Sequence, residues 1–317
     1  MDVTKPARPG LDQIQDALGR CAPSLAQLEI AFLAEGWEFW AFSAGDYVLR
    51  FPKSELVDRH GKGLAQLTMD RRLLPELATV VSVAIPLVDV YCEAGPNALP
   101  FAGHRRLQGV PIMTAARPPA PSFGRDFGRF LRELHSFPVE RALELGVPLS
   151  DGPTLRADRA RHYEDVIRRV FPLVSCEARN RIEVVYEGYL NQPANFEFEP
   201  CLLHQDLDSN TLIDAETGAL SGVIDFGDVV LSNPAIDLWL PVFGFPMLGI
   251  EDQLKECLAA VGVGEAELAR MMPELAFCDF RWPLLDILHG LDIGDDSFID
   301  GGIRALNARV PPDLRCP

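Results

Sequence analysis

The chain has no apolar run long enough to cross a bilayer. Its longest, Leu238 to Ile250, is interrupted by Pro241 and Pro246 and falls short of the roughly 20 residues that a spanning helix needs. The opening MDVTKPARPGLDQ also lacks the apolar stretch of a secretory signal. The expectation is a cytoplasmic protein with no membrane partner. Positive charge is scarce: 29 Lys and Arg stand against 46 Asp and Glu, a formal net charge of −17. A nucleic-acid partner calls for a basic footprint, so none is expected. A cationic small molecule, by contrast, would be drawn to such a chain. No C-x-x-C spacing occurs among Cys21, Cys92, Cys176, Cys201, Cys257, Cys278 and Cys316. Scattered cysteines in odd number read as idle or buried thiols in a reducing compartment, not as a disulfide or zinc framework.

What is present is an ordinary globular composition, 48% hydrophobic and 24% charged, and enough chain for one large or two moderate cores. Leu11, Ile14, Ala17 and Leu18 fall at helical spacing. From Leu28 to Pro52 the pattern changes to aromatic and aliphatic runs joined through Gly36 and then Gly45-Asp46, which predicts consecutive antiparallel strands with tight turns. Leu64, Leu67, Leu74 and Leu77 line one face of an amphipathic helix with Arg71 and Arg72 outward. Strand-like sequence follows in VSVAIPLVDVYCEA and LPFAGHRRLQG, and Gly109 marks the exit.

Beyond Val110-Pro111 the patterns are mostly helical. Phe123, Phe127, Leu131 and Leu134 share a face, and a second helical stretch covers about Leu155 to Leu190. The segment CLLHQDLDSNTLIDAETGALSGVIDFGD interrupts with short β runs that turn at Glu216-Thr217-Gly218. No internal repeat or low-complexity linker separates the two parts. The expected division is therefore residues 1–108 and residues 109–317, joined by a hinge within 103–112.

Two acids stand out by position. Asp206 follows the apolar Cys201-Leu202-Leu203 through His204-Gln205, and Asp225 follows Gly222-Val223-Ile224 and opens Asp225-Phe226-Gly227-Asp228. Each sits where a β run gives way to a loop, one hairpin apart, so the chain brings them together. Phosphoryl transfer needs such a set: a carboxylate to orient an acceptor hydroxyl, oxygen ligands for Mg²⁺, and positive charge on the phosphates.

The run HQDLDSNTLIDAETGALSGVIDFGDVVLSNPAIDLW resembles the catalytic core of the aminoglycoside phosphotransferase family. The segments PFAGHRRLQGVP, LRELHSFPVE and ILHGLDIGDDSFIDGGIRAL are similar to its 2''-phosphotransferase branch. The resemblance spans about Ala34 to Leu306. It implies an α+β, bilobal, protein-kinase-like fold, with a small antiparallel-sheet lobe and a larger, mostly helical lobe. It further implies Mg²⁺, ATP or GTP as phosphate donor, an aminoglycoside hydroxyl as acceptor, and a monomer acting in antibiotic resistance.

Residue by residue, the resemblance makes Asp206 the catalytic aspartate and Asp225 the metal ligand, with His204 and Asp237 as braces of the catalytic loop. Gly36 falls in the turn over the phosphates. Arg50 takes the place of the usual lysine, and Asp70 that of its glutamate partner. His104, Arg105 and Leu107 border the nucleobase. The family's second metal ligand, Asn or His, falls at Thr211, with Asn210 one residue earlier as the alternative. Lys53 is a fallback for Arg50, expected to point to solvent. Asp228, Asp295, Asp296 and Phe298, near Asp292, are the candidates for acceptor binding. Because no acid occurs from Leu238 to Ile250, a macrolide or an endogenous metabolite alcohol is the alternative acceptor. Arg50, Asp70 and Thr211 together allow a further reading, a pseudokinase-like nucleotide-binding protein.

Overall fold

The computed structural model describes residues 8–36, 38–53, 62–93 and 99–309. Helix α1 (Leu11–Cys21) buries Ile14, Ala17 and Leu18 against an antiparallel sheet. That sheet is built from β1 (Ile30–Glu35), β2 (Phe39–Ala44), β3 (Tyr47–Pro52), β4 (Val88–Cys92) and β5 (Phe101–Arg105), in the order β1-β2-β3-β5-β4. Gly45 sits at φ +57°, where side chains are disfavoured, and closes the β2–β3 hairpin with Ala44 opposite Tyr47. Trp40, Phe42, Leu49, Phe51 and Phe101 form this sheet's core with α1.

Helix α2 (Lys62–Leu77) crosses between the sheet and the rest of the chain. Leu67, Leu73, Leu74 and Leu77 are buried, and Arg71 and Arg72 face outward as expected. Leu73, Leu74 and Leu77 belong to a core shared with Phe123, Phe127, Leu202 and Phe226. The sheet side of the molecule is thus anchored to the catalytic segment through α2.

After Gly109, whose φ of +131° and close contact with Ser221 exclude a side chain, β6 (Val110–Pro111) pairs with β8 (Thr211–Ile213), which pairs with β9 (Leu220–Val223). The helices are α3 (Phe123–His135), α4 (Val139–Leu145), α5 (Gly152–Asp165), α6 (Cys176–Leu190) and the single turn α7 (Leu207–Asn210). Then come α8 (Phe245–Leu248), α9 (Leu254–Val261), the long α10 (Glu265–Ile293) and α11 (Asp296–Ala308). The antiparallel sheet followed by a helical body is the bilobal kinase-like architecture that the resemblance implies. Among the described residues, no helix is long and apolar enough to cross a membrane.

Several expectations are corrected. The helical stretch Leu155 to Leu190 is two helices, because Pro172 offers no N–H and Ser175 caps α6 through the Ala178 amide at 3.3 Å. The run at Cys201–Leu203 forms β7, and it pairs with β10 (Val230–Ser232), a strand not expected there. Three-residue strands carry too little periodicity to reveal their partners. Cys21 and Cys92 are not idle thiols. The end of α1 lies over the end of β4, which puts their Cα atoms 5.6 Å apart in a disulfide. Cys176 is likewise disulfide-bonded. Cys201, Cys257 and Cys278 are free, and Cys316 lies outside the described residues. The apolar segment Leu238 to Ile250 is mostly core: Phe245 packs on Phe123 and Phe127, and Leu238, Leu240 and Ile250 are buried.

Candidate active site

β7 ends at Leu203, and the chain then turns sharply: Gln205 takes φ +72° before Asp206 opens α7. A non-glycine residue there is uncommon and held by its surroundings. Asp237 supplies the hold. Its side chain is fully buried and accepts from the amides of His204 (3.0 Å) and Gln205 (2.8 Å), and it pairs with His135 Nε2 (3.1 Å). His204 ties the loop to the other acid: Nε2 donates to the Ile224 carbonyl (2.9 Å), while Nδ1 accepts the Asp206 amide (3.3 Å). Burial holds the His204 pKa down, so the neutral ring keeps this one tautomer.

Asp206 carries a proton far more readily than an ordinary aspartate. Burial first, then Asp208, with smaller contributions from Asp228 and Asp225, push it up to about 7. Asn210 Nδ2 donates to Asp206 Oδ2 (2.8 Å) and to the Asp206 carbonyl (2.9 Å). The other candidate at this place, Thr211, is turned away: its hydroxyl is fully buried and donates to the Leu207 carbonyl (2.6 Å).

Asp225, at φ +58°, is exposed toward the cleft. Arg50 of β3 reaches it with Nη2 (2.8 Å) and reaches Asp70 of α2 with Nη1 (3.1 Å), while its guanidinium lies over Phe39 (4.2 Å). Burial outweighs the attraction of Arg50 and pushes Asp70 up to about 7. Asp70 Oδ1 is buried without a partner. The pairing inferred for Arg50 and Asp70 is thus present, and it extends to Asp225. Lys53 does not point to solvent. Its Nζ pairs with Glu35 (2.9 Å), and the side chain is only 10% exposed.

The remaining candidates spread around this centre. Gly36 closes the β1–β2 turn by donating to the Phe39 carbonyl (2.8 Å). A Cβ there would meet only that oxygen at 3.6 Å, so the fold itself does not demand glycine. His104 lies one residue before the end of β5 with Nδ1 at 2.9 Å from the Arg105 carbonyl, and burial lowers its pKa. Arg105 lies over Tyr47 (5.1 Å), and Leu107 packs against Gly222. Asp228 is exposed, with its carbonyl accepting from Gln205 Nε2 (2.6 Å). Asp295 caps α11 by accepting from the amide (2.9 Å) and hydroxyl (2.6 Å) of Ser297. Asp292 pairs with Arg169 (2.8 Å). Asp296 is exposed, and Phe298 meets His289 edge-on at 5.1 Å.

Sequence reading missed one face of α10. Asp279, Trp282, Asp286 and His289 recur at helical spacing. Asp279 accepts from Trp239 Nε1 (3.2 Å), just past Asp237. Trp282 is 43% exposed. Partial burial raises the pKa of Asp286. Burial lowers that of His289, and the charge of Lys53 adds to the effect, so this face reaches toward the end of β3. Inside a helix of 29 residues, nothing in the sequence separates a half-buried acid such as Asp286 from a solvated one.

A strand lobe carrying a basic residue, set over two loop carboxylates on a helical body, defines a phosphotransferase of the kinase-like class. The chain belongs to the phosphotransferase enzyme family, which matches residues 29–274, and is a small-molecule phosphotransferase. Solved structures agree. The GDP and kanamycin complex of APH(2")-IIIa is 27% identical with TM-score 0.79, covering 93% of this chain and 97% of that one. The GDP complex of wild-type aminoglycoside 2'-phosphotransferase-IIIa is also 27% identical at TM-score 0.79, covering 95% and 98%. The apoenzyme of macrolide 2'-phosphotransferase MphH from Brachybacterium faecium shares the fold at 21% identity and TM-score 0.66, covering 96% and 100%. Among curated proteins none matches.

Proposed function

We propose that the protein moves the γ-phosphoryl group of ATP or GTP, with Mg²⁺, to a hydroxyl of an aminoglycoside, the 2''-hydroxyl being the position suggested by the 27%-identical APH(2")-IIIa. The observation that carries the reading is the gathering of two linked pairs, Asn210 on Asp206 and Arg50 on Asp225, close enough that the charge of Asp225 raises the Asp206 pKa. Residues 1–108 serve as the nucleotide lobe and residues 109–317 as the catalytic and acceptor lobe.

The donor set suits a hard cation. Asp225 offers an exposed carboxylate, and Asn210, fixed beside Asp206, offers the second oxygen; Mg²⁺ keeps water and phosphate for its other positions. Thr211, with its hydroxyl committed to Leu207, is the lesser candidate. When bound, the ion neutralises charge on the phosphates. Arg50 would then turn the Nη2 hydrogen now on Asp225 toward the phosphates, with Nη1 still on Asp70. The Gly36 turn covers them, and His104, Arg105 and Leu107 border the base. Asp206 orients the acceptor hydroxyl and takes its proton, a task suited to a carboxylate whose pKa is near 7. The acids Asp228, Asp296 and Asp286, with Asp295 and Asp279 behind them and Phe298 and Trp282 as apolar walls, attract the acceptor's ammonium groups. Leu238, Leu240, Phe245 and Ile250 of the apolar 238–250 segment are committed to the core, which weakens the case for a macrolide acceptor.

The test is nucleotide turnover with amino sugars, macrolides and simple amino alcohols offered in parallel. Turnover dependent on an amino sugar is expected, reduced about 10²- to 10⁴-fold in Asp206→Ala with nucleotide binding retained. Turnover with macrolides alone would contradict the acceptor assignment. Nucleotide binding without transfer to any acceptor would favour the pseudokinase-like reading.

A further inference from the structure

Gln66 lies on α2 one turn before Asp70 and is only 7% exposed. Arg50 Nη2 and the Gly227 amide, both donors, lie 2.7 and 3.2 Å from one Gln66 amide atom, so that atom is assigned as the oxygen, accepting from both. The same Nη2 reaches Asp225 Oδ1 at 2.8 Å. A Cβ on Gly227 would collide with the Gln66 carboxamide, so the amide packs flat on the backbone just after Asp225. One side-chain oxygen therefore joins α2, the strand-borne guanidinium and the turn that presents Asp225. An amide oxygen has two lone pairs, which is what two donors require.

We propose that Gln66 is a positioning residue that lets Asp225 change partner from Arg50 to the metal ion. The inference rests on the reading of Asp225 as a Mg²⁺ ligand. With a cation held by Asp225, the Arg50 guanidinium would be repelled and its Nη2 contact to that carboxylate weakened. The Arg50 side chain is 13% exposed, so a donor released there has little water to turn to and costs free energy if left unmatched. Gln66 already holds that nitrogen. It also anchors the Gly227 amide, which keeps Asp225 in its positive-φ conformation while Arg50 moves.

The acceptor oxygen is the feature to test, because Gln66→Met removes it at nearly constant volume and Gln66→Glu retains it at the same reach. Mn²⁺ bound to the protein–nucleotide complex is read by electron paramagnetic resonance. The Mg²⁺ requirement of turnover is read at saturating nucleotide. Gln66→Met is expected to raise the half-saturating metal concentration roughly tenfold, the scale of one hydrogen bond to a charged group. Gln66→Glu should stay within about threefold of wild type. Gln66→Asn, polar but too short to serve both donors, should behave as Met does and stands in for it if Met does not fold. Unchanged metal affinity in the folded Met or Asn variant, or equal shifts in Met and Glu, would overturn the inference. If the wild-type complex binds no Mn²⁺, the metal reading fails and this inference fails with it.

Discussion

The Asp237 carboxylate receives the backbone amide of His204 at 3.0 Å, across 33 residues of sequence. That bond, with those to Gln205 and His135, fixes the turn from which Asp206 projects. Asp237→Ala leaves three donors without their acceptor, the fully buried His204 amide among them. It is expected to cost about 3 kcal/mol or more of stability, lowering the unfolding midpoint in urea. A midpoint within experimental error of wild type would show that the brace is dispensable.

Asp208 raises the Asp206 pKa through a hydrogen bond and its charge. If the ionised Asp206 accepts the proton of the acceptor, kcat/KM rises with pH through a limb near 7. Asp208→Asn removes a negative neighbour and should move that limb to lower pH. A pH profile shifted upward or not at all in the variant would contradict the assignment of the limb to Asp206.

Asp70 binds its proton more tightly folded than unfolded, since burial raises its pKa to about 7 from 3.8. The stability that it contributes is full below pH 4 and is lost as pH rises through about 7. Asp70→Asn should therefore reduce the loss of thermal stability between pH 5 and pH 8. A steeper loss in the variant would show that Arg50 dominates and that Asp70 is charged throughout.

The acids on α10 and α11 should act on the acceptor and not on the nucleotide. Asp286→Asn and Asp296→Asn together are expected to raise KM for a polycationic amino sugar about tenfold, the worth of one or two partly exposed ion pairs. KM for the nucleotide should be unchanged. An equal rise in both would place these acids elsewhere in the cycle.

Much of this site was legible in the sequence because its parts sit at strand ends, where apolar runs stop abruptly at His204-Gln205-Asp206 and at Asp225-Phe226-Gly227. The β2–β3 hairpin was legible at Gly45, whose φ of +57° suits glycine. What could not be read depended on contacts between distant segments. His135 and Asp237 meet across 102 residues, and Gln66 reads as one polar residue on an amphipathic helix until its oxygen is seen between Arg50 and Gly227. The pairing of β7 with β10 and the Cys21–Cys92 bond escape sequence reading for the same reason: local pattern gives an element's type but not its neighbour. Thr211 is a different case. Its position suited a ligand, but its hydroxyl is committed to the Leu207 carbonyl one turn back.

The most direct test of phosphoryl transfer to an amino-sugar hydroxyl is ³¹P NMR of kanamycin incubated with the protein, Mg²⁺ and ATP or GTP. The account predicts a phosphate monoester on the drug, at the 2''-hydroxyl, that is absent with Asp206→Ala. Nucleotide hydrolysed to free phosphate, with no ester formed on any amino sugar, would contradict it.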